Sequence, residues 1–449
     1  MLVIGGGIVG SGIARDAAMR GLCVGLVEQA DFASGTSSRS SRLLHGGLRY
    51  LAQGRIGLVH EAGRERRTIA RIAPHLAMPL PFVFPARRES RWSLRKLRIG
   101  VAAYDLITGN RGEFKSRRLD PRETLARVPG LDVTNLAGAV QYFDALTNDS
   151  RLVLDTLRSA DRSGALLANY TRFLDAARVD ECWRIQIEDT MARREIEISS
   201  RTIVSAAGPW AASLPESGIR LRLTKGCHVL VAHARLPIAA AVVMTEGDRI
   251  LFAIPWGQRV ILGTTDTDYT GSPADVRTEP ADAEYILGVV NRHFPEARLS
   301  DRDVLADWAG VRPLVAHNGD EGPSDVSRAH VIRLRADGWM DVAGGKLTTY
   351  RLMAEQAVNR LVKYLDVDAP PCRTADEALL TPGDEEHFSG ILPPPVSREV
   401  VGHYCVNEWA LHVDDVITRR AGWRYVAEDV AGLEKQVGQW MSSASFAQA

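Results

Sequence analysis

LVIGGGIVG, residues 2–10, is the stretch that decides the fold. Its first three residues predict a short β-strand, and a helix is expected from Ser11 to Arg20. Between them lie three glycines with the spacing G-x-G-x-x-G: Gly5, Gly7 and Gly10. In this pattern the first glycine permits a tight turn, the second lets a pyrophosphate approach the backbone, and the third lets the helix pack against the strand. The helix N-terminus would stabilise the phosphate through its unpaired N–H groups and its dipole.

A second apolar run, residues 22–27, ends in Glu28. An acid at the end of this strand reaches the hydroxyls of a ribose, and it favours an adenosine with a free 2′-hydroxyl, as in FAD or NAD, over NADP. A glycine-rich turn without a ligand is the alternative interpretation. Because strand, glycines, helix, second strand and acid occur in this order, the sequence predicts a dinucleotide-binding unit.

The loop that follows indicates a flavin. Residues 31–51, DFASGTSSRSSRLLHGGLRYL, contain many hydroxyl side chains, a second pair of glycines and several arginines. Such a loop can fold back over the pyrophosphate and supply donors to an isoalloxazine ring, where an NAD-binding domain would pass to its next helix. A flexible linker is the alternative, but the apolar residues 43–44 and 48–51 favour burial.

Strand and helix patterns alternate early and late in the chain but not in its middle. The predicted elements after the loop are helix 55–73, helix 151–166, strand 183–187, strand 201–208, a sheet over 221–265 and a glycine turn with a helix over 341–365. We therefore predict an α/β fold with a discontinuous Rossmann-like FAD-binding domain (1–70, 145–208 and 305–368), an inserted and mostly antiparallel substrate domain (71–144 and 209–304), and a C-terminal helical domain (369–449).

Seven separate stretches resemble one family of flavoproteins, the FAD-dependent glycerol-3-phosphate dehydrogenases, which are a branch of the flavin-dependent alcohol and amine oxidoreductases. The resemblance runs in order from residue 1 to about residue 365. The stretches are GTSSRSSRLLHGGLRYL (35–51), APHL with Pro79 (73–79), AAGPW (206–210), KGCH (225–228), GTTD (263–266), GVRPL (310–314) and GGKLTTYR (344–351).

The resemblance implies oxidation of sn-glycerol 3-phosphate to dihydroxyacetone phosphate by hydride transfer to noncovalently bound FAD, with the electrons passed to a quinone. One alternative keeps the fold and changes the substrate to another polyol phosphate or a hydroxy acid, or the acceptor to oxygen. The other is a flavin-binding subunit without turnover of its own, since fold does not determine function.

A phosphorylated substrate requires arginines, whose planar guanidinium binds phosphate oxygens bidentately. By resemblance, the phosphate end is lined by Arg49, Tyr50 and Arg328. Lys225 is also assigned to substrate binding. Arg312 is placed near the reacting carbon, with a surface salt bridge as the alternative.

Two further side chains are candidates for catalysis. His228 is the candidate general base, because an imidazole has an unperturbed pKa of about 6.5. Lys346 would lie beside the flavin and stabilise its anionic reduced form. A histidine satisfied in the core and a solvated lysine are the alternatives. The remaining residues are predicted to contact the cofactor: Gly5, Gly7, Gly10, Glu28, Thr36, Ser37, Arg42, Leu44, His45, Gly46, Gly208, Gly344, Gly345, Lys346, Leu347 and Thr348.

Composition excludes several other classes of protein. The 449 residues carry 55 basic and 55 acidic side chains, so no global field favours nucleic acid. Apolar runs fall short of the ~20 residues that a membrane-spanning helix requires, and we expect no signal peptide. The five cysteines show neither disulfide nor metal-ligand spacing. We therefore expect free thiols in a cytoplasmic protein and no metal.

One stretch predicts a membrane contact. Residues 87–100, RRESRWSLRKLRIG, combine basic with apolar and aromatic residues, which suits the surface of an anionic bilayer, whereas a solvated basic loop is the alternative. We expect peripheral attachment to the cytoplasmic face of the membrane, and the resemblance also allows a homodimer. The C-terminal region departs from the family, because residues 370–407 are abbreviated. The helical cap is therefore expected to be shortened.

Overall fold

A strand leads into the glycine turn that begins at Gly5, and a helix follows this turn. The computed structural model describes residues 1–52, 54–88, 91–247, 249–316, 330–381 and 388–443, except for the side chains of Arg49, Ala52 and Ser443. The strands in chain order are β1 (Leu2–Ile4), β2 (Gly25–Val27), β3 (Leu43–Leu44), β4 (Met78–Arg87), β5 (Arg117–Leu119), β6 (Leu136–Leu146), β7 (Leu166–Ala168), β8 (Thr171–Val179), β9 (Cys182–Asp189), β10 (Arg194–Ser200), β11 (Ile203–Ser205), β12 (Leu221–Ala232), β13 (Ala241–Glu246), β14 (Arg249–Trp256), β15 (Arg259–Gly263), β16 (Thr267–Asp268), β17 (Val304–Val315), β18 (His330–Leu334) and β19 (Trp339–Gly344).

At the start of the chain, helices and strands alternate. In chain order the helices are α1 (Ile8–Met19), α2 (Leu48–Ala52), α3 (Ile56–Ile72), α4 (Leu94–Thr108), α5 (Pro121–Arg127), α6 (Asp149–Arg162), α7 (Pro280–His293), α8 (Tyr350–Leu365), α9 (Arg398–Asn407) and α10 (Val430–Ser443). A π-helix spans Asp415–Arg420.

A six-stranded sheet has the order β18-β19-β11-β1-β2-β7. Its strands pair in parallel, except for the antiparallel edge strand β18. Alternation along β1 separates its two faces: Val3 packs in a core with α1, α6 and α8, whereas Leu2 and Ile4 pack against the three-stranded sheet β10-β9-β8. Both faces are therefore covered, as is usual for a parallel sheet.

The second large sheet has the order β16-β12-β15-β14-β13-β4-β6-β3, with β17 paired to β12 and β5 paired to β6. All of its pairs are antiparallel except the one between β13 and β4. On β12, Cys227 and Val229 point into a core that includes Ile286 of α7. Leu230 points into the opposite core, which includes Val101 of α4. The register of β12 therefore places His228 on the α4 side of this sheet.

The C-terminal helices have a core of their own, formed by residues such as Val401, Tyr404 and Trp423. A buried ion pair connects this region to α6, because Arg151 donates to both carboxylate oxygens of Glu408 at 2.6 and 2.8 Å. This region and the sheets are therefore joined by polar as well as apolar contacts.

The predicted fold class is confirmed, and most predicted elements differ only at their ends. The first helix starts at Ile8 rather than Ser11, since Gly7 already takes the extended N-cap conformation. The helix predicted over 151–166 spans Asp149–Arg162, because the Asn148 side chain caps its start. The division into three domains stays a prediction, although β17, assigned to the FAD-binding domain, hydrogen-bonds to β12 in the antiparallel sheet.

Two exclusions from composition can be compared with the structure. Among the described residues no helix is both long and apolar enough to cross a bilayer. Within the same ranges no group of three or more His, Cys, Asp or Glu side chains could hold a metal ion. All five cysteines fall in described ranges and are free thiols.

Candidate active site

The glycine turn lines one wall of a cavity of about 420 Å³, which we call the nucleotide cavity. At Gly10 an added Cβ would lie 1.9 Å from the carbonyl oxygen of Gly5, so only glycine permits this approach of helix and turn. Gly5 itself has a φ of 108°, a conformation that favours glycine. The backbone of Gly5 and Gly7 therefore forms the wall where a pyrophosphate would lie.

Glu28 lies at the end of β2 and lines the nucleotide cavity. Its carboxylate accepts hydrogen bonds from the backbone N–H of Gly6 at 2.8 Å and of Ala30 at 3.1 Å. Burial raises the pKa of this carboxyl. These bonds hold the side chain where it can accept a hydrogen bond from a ribose hydroxyl.

The hydroxyl-rich loop folds back onto the start of α1. The Ser37 hydroxyl accepts a hydrogen bond from the N–H of Ile8 at 3.0 Å, and the Thr36 hydroxyl donates to the carbonyl of Val311 at 2.6 Å. Both side chains line the nucleotide cavity. The loop is thus ordered against the turn, as a role in covering a dinucleotide requires.

The opposite wall of the nucleotide cavity comes from two distant segments, and its predicted members are Gly208, Gly344, Gly345, Lys346 and Leu347. At Gly345 the φ is +78°, and an added Cβ would lie 2.3 Å from the Met353 sulfur. A side chain is therefore excluded where the wall approaches the cavity. With glycine backbone on two sides and an acid at the ribose position, these residues fit a dinucleotide such as FAD.

A second cavity of about 550 Å³, here called the Arg312 cavity, is lined by both polar and apolar residues. The polar lining includes Ser41, His45, Tyr50, Thr264, Asp266 and Arg312, and the apolar lining includes Leu51, Phe82, Phe84, Trp92, Leu97 and Phe252. His45 was predicted to contact the cofactor. It lies in the lining of this second cavity, and its predicted contact with the cofactor stays a prediction.

Several hydrogen-bond acceptors hold the guanidinium of Arg312 in the wall of this cavity. Its guanidinium donates to the Asp266 carboxylate at 3.2 Å and to the Thr264 hydroxyl at 2.9 Å. Gly226 leaves the space beneath it, since an added Cβ would lie 2.2 Å from Nη2. Thr264 and Asp266 were not among the predicted site residues, although they belong to the GTTD stretch that carries part of the resemblance.

Lys346 connects the two cavities. It lines the nucleotide cavity, and its ammonium nitrogen lies 3.6 Å from the centroid of the Tyr50 ring, which lines the Arg312 cavity. This distance is a cation–π contact. The structure therefore brings together two residues that are almost three hundred positions apart in the sequence.

His228 lies behind the Arg312 cavity rather than in its lining. Its Nε2 is 2.8 Å from the hydroxyl of Ser41, and its ring stacks on Trp308 with centroids 5.1 Å apart. Burial, together with the nearby cations of Arg312 and Arg42, lowers the pKa of His228 to about 3. The imidazole is therefore uncharged at neutral pH, and Ser41 is the polar side chain between it and the cavity.

Arg42 was predicted to contact the cofactor, but the structure does not support this role. Its buried guanidinium lies over three aromatic rings, those of Trp256, Trp308 and Tyr425, at 4.3, 5.2 and 5.1 Å from the ring centroids. Among the described residues its Nε and Nη1 have no hydrogen-bond partner. The aromatic faces stabilise the cation in place of an anion.

Lys225 is directed away from the Arg312 cavity, so the structure does not support its predicted role in binding substrate. Its ammonium lies 2.7 Å from Asp282 and 3.1 Å from Glu279 at the start of α7. The physical reason is the alternation of β12, which turns Lys225 and His228 to opposite faces of the sheet.

Three other predicted cofactor contacts serve to hold the loop. Leu44 is fully buried in β3, opposite Ala145 of β6. The N–H of Gly46 donates to the Tyr104 hydroxyl at 2.9 Å, and the hydroxyl of Thr348 lies 3.2 Å from the N–H of His45. Neither Leu44 nor Gly46 belongs to the wall of either cavity. Their predicted contact with a cofactor stays a prediction.

A buried network that was not predicted continues from Gly46. The Tyr104 hydroxyl donates to Asp144 at 2.7 Å, and Asp144 also pairs with Arg66. Burial raises the pKa of Asp144. No motif marks these residues, because they come from three elements that meet only in the fold. The side chain of Arg49 and the whole of Arg328 lie outside the described residues, so their predicted roles stay predictions.

Comparisons with known proteins agree with this geometry. The model of the FAD-dependent oxidoreductase family matches residues 1–351. The aerobic glycerol-3-phosphate dehydrogenase of Staphylococcus aureus (strain USA300) is 36% identical over 392 residues, which cover 84% of this chain and 70% of that protein. The expected resemblance and the expected FAD cofactor are confirmed.

Solved structures support the same assignment. The glycerol-3-phosphate dehydrogenase from Bacillus halodurans complexed with FAD is 29% identical, with a TM-score of 0.79 over 100% of this chain and 90% of that chain. The L-alpha-glycerophosphate oxidase from Mycoplasma pneumoniae with FAD bound is 17% identical, with a TM-score of 0.65 over 85% of this chain and 98% of that chain, and supports the fold alone. The chain is therefore a member of the FAD-dependent oxidoreductase family.

Proposed function

We propose that this protein oxidises sn-glycerol 3-phosphate to dihydroxyacetone phosphate. The observation that carries the proposal is the junction of the two cavities at Lys346 and Tyr50, because Tyr50 lines the same cavity as Arg312. An anionic polyol bound by Arg312 would therefore lie next to the nucleotide cavity, which supports the proposal. The 36% identity to an aerobic glycerol-3-phosphate dehydrogenase supports this choice of substrate.

The cofactor and the protein have separate tasks in this reaction. FAD, when bound, accepts the hydrogen and two electrons of the alcohol C–H bond. Arg312 holds a substrate oxygen with a guanidinium whose direction is fixed by Thr264 and Asp266. Such positioning converts a bimolecular encounter into a reaction between groups held in place. Lys346 supplies positive charge at the junction, where negative charge develops.

The hydroxyl proton must also be removed. Ser41 lines the Arg312 cavity and contacts His228 Nε2, so these two residues are the route that we assign to the proton. Because the pKa of His228 is about 3, the imidazole is uncharged throughout the physiological range. Its low pKa makes it a weak base, so the route requires the developing negative charge nearby to stabilise the imidazolium.

Anaerobic mixing of the purified yellow holoprotein with substrate tests the proposal. Bleaching of the flavin by sn-glycerol 3-phosphate supports it. Bleaching only by another polyol phosphate or a hydroxy acid would show that the proposed substrate is wrong and that the proposed type of reaction is right. A flavin that none of these compounds reduces would contradict the proposal and support a subunit without turnover.

We also propose that the electrons pass to a quinone at an anionic membrane surface. Support comes from α4, which exposes Arg95, Lys96 and Arg98 beside Ile99 and Leu106, whose side chains are 74% and 85% exposed. Exposed basic and apolar groups on one helix suit the cytoplasmic surface of a bilayer. The same helix contributes Lys96 and Leu97 to the wall of the Arg312 cavity.

Co-sedimentation with anionic vesicles tests this attachment. Replacement of Arg95, Lys96 and Arg98 by glutamate should abolish binding, and unchanged binding would contradict the proposal. For the acceptor, reoxidation of the reduced holoprotein by a short-chain quinone should be faster than by oxygen. Stoichiometric hydrogen peroxide with no response to quinone would identify an oxidase instead.

A further inference from the structure

The residues directly after β2 contact the C-terminal region of the chain. We call residues 388–443, with α9, α10 and the π-helix, the C-terminal unit. Its Trp409 meets the ring of Phe32 edge to face, with centroids 5.4 Å apart and an angle of 90° between the planes. Phe32 is fully buried, so this contact is made in the interior of the protein. Such aromatic pairs add to stability beyond the area that they bury.

Phe32 in turn packs against the nucleotide turn. An added Cβ at Gly6 would lie 2.5 Å from Cδ1 of Phe32, so the ring rests directly on the backbone of this glycine. The N–H of the next residue, Ala33, donates to the carbonyl of Gly6 at 3.1 Å. Gly6 is also the residue whose N–H binds Glu28. A change at Trp409 therefore reaches the turn through a single intervening side chain.

A buried ion-pair cluster forms a second connection. The Asp31 carboxylate accepts hydrogen bonds from Arg420 at 2.5 and 2.9 Å and from Arg419 at 2.5 Å. Arg419 also pairs with Asp415 at 2.7 Å and with Asp414 at 2.8 Å, so three acids face two arginines. Although burial acts against ionisation, Arg420 and Arg419 lower the pKa of Asp31. A charged carboxylate here is thus matched by charges that the C-terminal unit supplies.

The C-terminal unit holds Trp409 in one conformation. Arg420 donates to the carbonyl of Glu408 at 2.6 Å, and the Asn169 amide donates to the carbonyl of Trp409 at 2.8 Å. Trp409 has a φ of 56°, which residues other than glycine rarely adopt. Such a conformation persists where the surroundings determine it, and here they direct the indole at Phe32.

We infer that the C-terminal unit controls how long the flavin stays bound, through the contacts of Trp409 with Phe32 and of Arg420 with Asp31. These are positioning residues, because they act on the nucleotide turn and do not line the nucleotide cavity. The inference rests on the FAD cofactor and not on the proposed substrate. It gives this region a role in cofactor retention, whatever alcohol the protein oxidises.

The test measures FAD release from the full-length holoprotein, followed by the rise of flavin fluorescence after dilution, with no substrate added. Trp409→Leu should speed release by about tenfold, the upper range for an aromatic pair. Asp31→Asn, which leaves Arg420 without its buried counter-charge, should speed it at least as much. Trp409→Phe keeps a ring against Phe32 and should restore release to within about twofold of the wild-type rate.

Trp423→Leu is the matched control. Trp423 is buried in the core of the C-terminal unit, more deeply than the partly buried Trp409, but it bonds to the carbonyl of Pro394, away from Phe32. It should lower the melting temperature as Trp409→Leu does and leave FAD release unchanged. Equal acceleration by both leucine variants, or by neither, would overturn the inference. A holoprotein that retains FAD normally but is not reduced by sn-glycerol 3-phosphate would contradict the proposed substrate alone.

Discussion

The nucleotide cavity and the Arg312 cavity are built from different parts of the polypeptide. Backbone atoms form much of the first, and its central pieces, residues 4–9 and 27–37, are close together in the chain. Side chains form the second, and they come from segments as far apart as Ser41, Asp144 and Arg312. A backbone-built site depends on the space that glycines leave. A side-chain-built site depends on strand register, which only the whole fold provides.

Gly10→Ala tests the backbone-built cavity and should have the largest effect. The new Cβ would lie 1.9 Å from the carbonyl oxygen of Gly5, and neither backbone segment can yield without opening the turn. We expect FAD affinity to fall by about a hundredfold or more, the equivalent of roughly 3 kcal/mol of overpacking. Titration of the apoprotein with FAD measures it. Gly57→Ala is the control, because an added Cβ there meets nothing within 4 Å.

Arg312→Lys tests the cavity built from side chains. Lysine keeps the charge but not the planar fork that contacts Thr264 and Asp266. We expect the rate of flavin reduction to fall by about a hundredfold, since truncating a positioned charged group costs roughly 2–5 kcal/mol. The yellow cofactor should be retained. Stopped-flow reduction measures the rate, and loss of the flavin in this variant would show that Arg312 belongs to the nucleotide cavity.

The control for Arg312 is Arg222→Lys. Arg222 forms a bidentate pair with Asp268, with both contacts at 2.7 Å, but Asp268 is half exposed. Partly exposed pairs contribute little, so flavin reduction should stay within about twofold of the wild-type rate. A comparable loss in both variants would mean that arginine geometry matters to folding rather than to the Arg312 cavity.

The His228→Gln variant tests whether the buried imidazole is neutral in the native state. The quantity that reports it is the pH dependence of the free energy of unfolding. The native pKa of about 3 lies below the unfolded value of about 6.5. Between these values the unfolded state binds a proton that the native state does not, so stability is lost as the pH falls from 6.5 towards 3. From pH 7 to pH 5 the wild type should lose about 2 kcal/mol more than the variant. Urea unfolding at both pH values measures it, and equal losses would contradict the buried neutral state.

Tyr50→Leu should have the smallest effect. It removes the ring that lies 3.6 Å from the Lys346 ammonium, a contact worth about 1 kcal/mol, and so should slow flavin reduction about fivefold. Tyr50→Phe keeps the ring and should recover most of the rate. If Phe is as slow as Leu, the hydroxyl rather than the ring is what the junction requires.

Local motifs were enough to predict the residues that form the nucleotide turn. They were not enough to predict which side chains a strand directs into the Arg312 cavity. The G-x-G-x-x-G turn, Glu28 and the fold class follow from spacing and strand order, because a few neighbouring residues define the geometry. Lys225 and His228 are three residues apart in the same recognisable stretch, yet β12 turns them to opposite faces. The sequence analysis assigned both to the site, and the register of one strand separates them.

By itself, the sequence determined a dinucleotide turn, an α/β architecture and the kinship with flavoproteins, since glycine spacing and apolar periodicity act over short distances. Only the tertiary structure decided which charged groups meet. It pairs Lys225 with Asp282, encloses Arg42 in aromatic rings and brings Lys346 to Tyr50. The physical reason is that a buried charge requires a partner, and the partner is selected by packing between segments that no local pattern connects.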